Sequence, residues 1–230
     1  VTMKHSNTQI DQLGNRMRQG LPTESDLTLL DDYRRSFDES YQIVVQRIRE
    51  RLLLEPTGRP AKSTGSIKEK LLRESIRLSQ VQDIAGCRVV VAGIADQERV
   101  VTSLCDIFPG AEVKDRRANP SYGYRAVHVI ARISGKLIET QVRSSLQHLW
   151  AELSEKFSDV IDPAIKYGGG PDEYRQALAT ISTMVADLEV LEKDMVRSPL
   201  PDVRIDHMKK KLADFCNDMI SQLDDKKEQQ

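Results

Sequence analysis

Cysteine, tryptophan and long apolar runs are what this 230-residue chain has least of. The three thiols, Cys87, Cys105 and Cys216, show no CxxC spacing, and their odd number argues against a disulfide framework. They fit a reducing compartment and a packing role. No apolar stretch reaches membrane length, and the polar start "VTMKHSNTQIDQ" does not resemble a signal peptide, so a cytoplasmic protein with no membrane partner is expected. Charge of one sign is missing too. Lys and Arg number 34 against 35 Asp and Glu, a formal net charge of −1. Overall charge therefore draws in no polyanion, and any phosphate or nucleic-acid site must be a local basic cluster. With 30% charged and 39% hydrophobic residues, a soluble globular chain is expected. There are no internal repeats.

Periodicity organises what is present. Residues 6–20 predict a short helix with Ile10, Leu13 and Met17 on one stripe. Thr23 and Asp26 fit a capping box that opens a long amphipathic helix running to about Leu54. The segment "EPTGRPAKSTGS" breaks it, and helical spacing resumes over 66–78. The period then changes. "IAGCRVVVAG" predicts a strand and 95–108 a helix. "AEVKDRR" and "YRAVHVIARISG" predict two further strands. Gly135-Lys136 suggests a hairpin into "KLIETQVRS", and a helix follows over 145–160. "DPAIKYGGGPDE" is a second break, followed by helices over 172–196 and 203–224 joined by "SPLP", then a frayed tail. The order implies an α/β (α+β) fold, a mixed sheet flanked by helices. Three parts are expected: an N-terminal helical segment (1–54), a core (55–162) and a C-terminal helical hairpin (163–230).

Chemistry-bearing residues concentrate in the middle. Alternation along a strand places Glu139, Gln141 and Arg143 on one face and Ile138, Thr140 and Val142 on the other. Tyr124 and His128 share a strand face in the same way. Asp83 stands where the first strand begins. Two carboxylates meeting at a sheet surface suit Mg²⁺, which takes few protein ligands and completes its shell with water and phosphate oxygens. Around them are Arg59, Lys62, Lys70, Arg73, Lys114, Arg116, Arg117, Arg125 and Arg143, with Ser63 and Ser66. Cations and hydroxyls around an acidic pair suit a polyphosphate and its metal. "GRPAKSTGS" is no Walker A loop, lacking glycine before the lysine and a preceding strand. Ordinary explanations stay open. Each charge also fits a solvated surface, Glu139 could pair with Arg143 or Arg125, and His128, Tyr124 and Trp150 also fit packing roles.

The segments "KSTGSIKEKLLRE" (62–74), "QDIAGCRVVV" (82–91), "VKDRRANPSYGYRAVHV" (113–129) and "IETQVRSSLQHLWAELSEK" (138–156) resemble, in order, the (p)ppGpp synthetase domain of RelA/SpoT-type proteins. The resemblance covers roughly residues 55–160. It implies a nucleotidyltransferase-like fold and an enzyme that transfers pyrophosphate from ATP to a ribose 3′-hydroxyl, releasing AMP. It implies that Asp83 and Glu139 hold Mg²⁺, with Glu139 the better placed to help deprotonate the hydroxyl. Lys62, Ser66, Lys70 and Arg73 would hold the ATP phosphates and Arg59 the adenine. Lys114 and His128 would contact the acceptor or phosphates, Tyr124 would stack on the acceptor base, and Gln141 and Arg143 would line the cleft. Arg116, Arg117 and Arg125 join the acceptor side.

The chain departs from the family in "KDRRANPSYGY". There Arg116 and Arg117 replace an aromatic-aliphatic pair, and Ser121-Tyr122 stands where an asparagine is usual before the glycine. Upstream, Pro60 occupies the place of the usual arginine. Together with "GRPAKSTGS" and "DPAIKYGGG", these make the chain resemble most the toxic small alarmone synthetases. Their implied acceptor is the tRNA 3′-CCA end and their implied partner an antitoxin protein. The alternatives are a synthetase acting on GDP, GTP or an adenine nucleotide, and a catalytically silent nucleotide-binding module. Only His5, His128, His148 and His207 are present, and none is followed by aspartate, so the family's hydrolase activity is not expected.

Overall fold

The computed structural model describes residues 5–20, 22–59, 61–195 and 203–228. Three helices come first: α1 (Asn7–Gln19), α2 (Glu24–Arg35) and α3 (Asp38–Leu52). Then come β1 (Thr57–Arg59), α4 (Thr64–Arg73), β2 (Ala85–Val91), α5 (Ile94–Ile107), β3 (Glu112–Asp115), β4 (Val127–Ile133) and β5 (Lys136–Ser144). Helices α6 (Ser145–Val160), α7 (Asp172–Met195) and α8 (Val203–Glu228) complete the order. The five strands form one mixed sheet in the order β1-β2-β5-β4-β3, with β5 central. Strand β1 is antiparallel to β2, Thr57 opposite Arg88 and Arg59 opposite Gly86. The expected sheet flanked by helices is what the chain forms. Among the described residues no helix is long and apolar enough to cross a membrane.

The chain divides into two compact units. The first comprises Val1–Val89, Ser103–Val113 and Val129–Gln141. Its core gathers Ile10, Leu13 and Met17 of α1, Leu30 and Tyr33 of α2, Val44 and Ile48 of α3, and Ile67 and Leu71 of α4. Sheet residues Ile84, Val89, Val129 and Ile138 are buried with them. The starts of α1 and α2 are capped by side chains. Ser6 opens α1, and Thr23 accepts from the Asp26 backbone N–H while the Asp26 carboxylate reaches back to the Thr23 N–H. Asp26 is only 5% exposed and also takes 2.7–2.8 Å contacts from Arg16. That bond holds its carboxyl below the ordinary range despite its burial.

The second unit comprises Val90–Thr102, Lys114–His128 and Val142–Gln230. Its core is a helical cluster of Leu146, Trp150, Leu153 and Phe157 from α6, Leu178, Ile181, Val185 and Leu188 from α7, and Leu212, Cys216 and Leu223 from α8. The indole N–H of Trp150 donates to the Leu178 carbonyl at 2.8 Å, which satisfies its one polar atom inside the core. On the α7 stripe Ile181 and Leu188 are buried, whereas Met184 and Leu191 remain 49% and 44% exposed. All three cysteines are free thiols, and burial pushes Cys87 and Cys216 up to about 11, which fits packing.

Several elements differ from the sequence reading. The long helix expected to reach Leu54 is two, α2 and α3, broken at Ser36-Phe37. Ser36 Oγ donates to the Tyr33 carbonyl at 2.5 Å and competes with the helical ladder, while the apolar stripe continues across the break. Helix α4 stops at Arg73 rather than 78. Strand β1 lies inside a Gly/Pro-rich stretch read as a break. The hairpin turn is Ser134-Gly135, both at positive φ (49° and 80°), so Lys136 is already in the strand. Tyr124 precedes β4 and closes a small bridge with Ser121. The tail expected to fray stays helical through Glu228. The "SPLP" connection lies outside the described residues.

Two substitutions test these packing arguments. Asp26→Asn keeps the shape of the cap but loses the charge facing Arg16, and is expected to lower stability by about 1 kcal/mol. A carboxylate with a lowered folded pKa stabilises above its unfolded pKa. The difference from wild type, measured by urea unfolding, should therefore narrow as pH falls below about 4. Gly123→Ala would place a Cβ 2.6 Å from the Trp150 ring at φ +91°. It is expected to cost about 1–3 kcal/mol in the same measurement.

Candidate functional site

In the first unit the site is built around Asp83. The backbone N–H of Lys62 donates to the Ile84 carbonyl at 2.7 Å, which fastens the start of the "KSTGS" segment beside the approach to β2. Ser63 then caps α4, its Oγ accepting from the Ser66 N–H and lying 2.9 Å from Ser66 Oγ. Ser66 and Lys70 are four apart and share a helix face. The result is that Lys62 Nζ and Lys70 Nζ donate to the two oxygens of Asp83, at 2.8 and 2.9 Å. All three side chains are about four-fifths buried. Burial pushes the Asp83 carboxyl up, but the two lysine charges and their hydrogen bonds prevail and hold it at about 2. One carboxylate between two ammoniums leaves one net positive charge, an arrangement able to accept phosphate oxygens. Arg73 lies at the end of α4, more exposed, 3.1 Å from Glu74. Arg59 ends β1, and its side chain lies outside the described residues.

Glu139 stands on β5, where residues 136–142 alternate buried and half-exposed; Ile138, Thr140 and Val142 are buried at 0–1%. Leu137, Glu139 and Gln141 are the half-exposed members, and Gln141 donates to Glu139 at 2.9 Å. The sheet closes tightly at this point. A Cβ on Gly86 of β2 would lie 2.7 Å from the Glu139 carbonyl, so glycine sets the approach of the two strands. Among the described residues no cluster of three or more His, Cys, Asp and Glu could hold a metal. Both Asp83 oxygens accept from lysine ammoniums and Glu139 accepts from Gln141; Mg²⁺ is an ion that takes as few as one or two protein carboxylates, with water and phosphate supplying the rest.

The second unit brings together a different group. Tyr124 Oη lies 2.9 Å from His128 Nε2, and Arg143 Nη2 donates to the same oxygen at 3.1 Å. The Arg143 guanidinium also sits 5.1 Å over the Tyr124 ring. His128 and Arg143 are 7% and 4% exposed, so Arg143 is buried where the period of β5 alone places it on the half-exposed face. The loop cations differ in their surroundings. Arg116 reaches Ser121 Oγ at 3.4 Å and Lys114 is half-buried. Arg117 is clamped by Asp115 at 2.6 Å and approaches Glu98, and both neighbours favour its charge. Arg125 faces the buried Glu189 at 3.6 Å.

Glu189 is a residue that sequence reasoning missed. It accepts from Ser144 Oγ at 2.9 Å and Gln147 Nε2 at 2.7 Å, and Gln97 Nε2 continues the chain to the Val142 carbonyl at 2.7 Å. This buried network ties the junction of β5 and α6 to α5 and α7. Burial raises the Glu189 pKa, although its donors and arginines oppose this. The available signal was a carboxylate four residues after Val185, within the apolar stripe of α7. Tyr122, 64% exposed and at positive φ, is a second aromatic in the loop, to which the sequence reading gave no site role.

Residues 58–158 match the family described as the region found in RelA/SpoT proteins. An uncharacterized protein of Mycobacterium tuberculosis is 36% identical over 118 residues, covering 49% of this chain and 43% of that protein. A probable chloroplastic GTP diphosphokinase of Arabidopsis thaliana is 33% identical over 96 residues, 40% of this chain and 13% of that one. The chain thus spans less than half the length of these curated relatives. Among solved structures, small alarmone synthetase 1 from Bacillus subtilis, bound to its product pppGpp, superposes with a TM-score of 0.55 at 22% identity, over 75% of this chain and 97% of that one. A GTP pyrophosphokinase family protein from Streptococcus pneumoniae gives 0.53 at 24%, over 83% and 98%. The stretch from 58 to 158 thus resembles the region found in RelA/SpoT proteins, and the fold is like that of these small alarmone synthetase and GTP pyrophosphokinase family structures.

Proposed function

We propose that the chain is an ATP-dependent pyrophosphokinase whose acceptor is the 3′-CCA end of tRNA. The observation that carries the reading is Asp83 held ionised between Lys62 and Lys70, inside the RelA/SpoT-type region. In the proposed reaction the acceptor 3′-oxygen attacks the β-phosphorus of ATP. An O3′–Pβ bond forms, and the bond from Pβ to the α,β-bridging oxygen breaks. AMP leaves with that oxygen and its electron pair, and the 3′-hydroxyl proton passes to Glu139.

Lys62, Ser66, Lys70 and Arg73 are assigned to the donor phosphates and Arg59 to the adenine. A pair of fixed ammoniums stabilises charge that grows on phosphate oxygens in the transition state. Asp83 and Glu139 would hold Mg²⁺, which when bound draws charge from those oxygens. Lys114, Arg116, Tyr124, His128, Gln141 and Arg143 are assigned to the acceptor. Arg117 and Arg125, already facing carboxylates of their own unit, are given the task of holding the loop that carries them. Residues 55–162 would form the catalytic core, with 1–54 and 163–230 as helical additions. The exposed Met184 and Leu191 of α7 offer a face to an antitoxin protein. A second reading, with GDP or GTP as acceptor, is favoured by the names of the relatives and by the pppGpp held by the fold neighbour.

The test offers ATP labelled at the γ-phosphate with deacylated tRNA, GDP, GTP or no acceptor. Label is expected on tRNA. Glu139→Gln and Asp83→Asn should each lower the rate at least about a hundredfold while the protein stays folded. Label only on GDP or GTP establishes the second reading, and no transfer to any acceptor overturns both.

A further inference from the structure

A separate feature of the first unit concerns the other end of β5. Lys136 opens the strand immediately after the Ser134-Gly135 turn and is only 7% exposed. Its ammonium donates to Ser36 Oγ at 2.7 Å and lies 4.5 Å from the Phe37 ring centre and 5.2 Å from that of Tyr33. No carboxylate of the described residues lies within 4 Å of it. An ammonium has three donors, and here one reaches a hydroxyl while two ring faces supply the remaining attraction. Burying a cation without a counter-ion is costly, and desolvation duly lowers its pKa.

Lys136 also lines a cavity of about 290 Å³, together with Arg35, Ser36, Glu39, Ser40, Ser134 and Gly135. Arg35 is largely exposed at the rim, 3.9 Å from Asp32, so its guanidinium has reach to spare. Glu39 is the one carboxylate of the lining and is itself exposed. The cavity adjoins the first turn of α3, whose preceding residue Phe37 provides no side-chain cap. Cation and hydroxyls share one opening with the first turn of α3, which itself carries Asp38 and Glu39, so the attraction for negative charge there rests on Lys136 and Arg35. The volume lies at the lower edge of small-molecule pockets, which suits a small anion better than a whole nucleoside triphosphate.

We propose that this cavity is a second anion site, taking small phosphate-bearing solutes of the size of inorganic phosphate or pyrophosphate, with the Lys136 ammonium as the central contact. It is distinct from the lysine pair at Asp83 and does not depend on the reaction proposed above.

The experiment uses the full chain and pyrophosphate without added metal. The two rings beside Lys136 are expected to shift its side-chain methylene NMR signals, which are assigned through the backbone and so distinguished from those of Lys166, a second lysine over a ring. The signal thus reports this cavity even if pyrophosphate also binds at Lys62 and Lys70. A saturable shift of that signal is expected, with the midpoint weakened severalfold in the surface variant Arg35→Glu. In calorimetry Lys136→Met should weaken the corresponding binding component at least about tenfold, the effect of losing one charged hydrogen bond. A Lys136 signal that does not move as pyrophosphate is added overturns the proposal, as does an unaltered midpoint in both variants. If Lys136→Met fails to fold, the wild-type signal and Arg35→Glu decide.

Discussion

The two-residue period of β5 is the constraint on which the arrangement rests. Ile138, Thr140 and Val142 must stay buried, so Glu139 and Gln141 are turned to the other side of the strand. A register slip of one residue would bury the glutamate and expose the isoleucine. The central place of β5 in the sheet and the close passage of Gly86 against the Glu139 carbonyl make such a slip unfavourable. The position of the second carboxylate is thus set by the burial of the apolar residues on either side of it.

Asp83 is secured in the opposite way. It is four-fifths buried, which by itself would favour the neutral acid, and two lysines reverse the preference. Removing one lysine would leave a buried carboxylate partly uncompensated, a costly state. The same logic separates the arginines of the second unit. Arg117 and Arg125 face Asp115 and the buried Glu189, so their charges serve local structure, whereas Lys62 and Lys70 together exceed the one charge they face. Ion-pair stoichiometry, more than the number of cations, sets the charge left over at each position.

Much of this was legible in the residues. The β5 alternation, the start of α6 and the capping box at Thr23 follow from spacing and from residue types that satisfy helix-end N–H groups. The failures share a cause. The break at Ser36-Phe37 leaves the apolar stripe intact, and β1 is three residues of Thr, Gly and Arg whose only strand signal is its partner β2. Tyr124 reads as strand, yet belongs to a turn, because the alternation of hydrophobicity extends past the last paired residue.

The sequence by itself determined the element order, the polar face at Glu139 and Gln141 and the neighbourhood of "KSTGS" along the chain, because helix and strand periods are local properties of backbone geometry. Only the tertiary structure decided that Lys62 and Lys70 share one aspartate, that Arg143 is buried over Tyr124, that Glu189 joins Ser144 and Gln147, and that Lys136 is enclosed by two aromatic rings. These pairings join residues far apart in the chain. Their energies depend on burial and on which opposite charge comes within hydrogen-bonding reach, and neither is written in any local pattern.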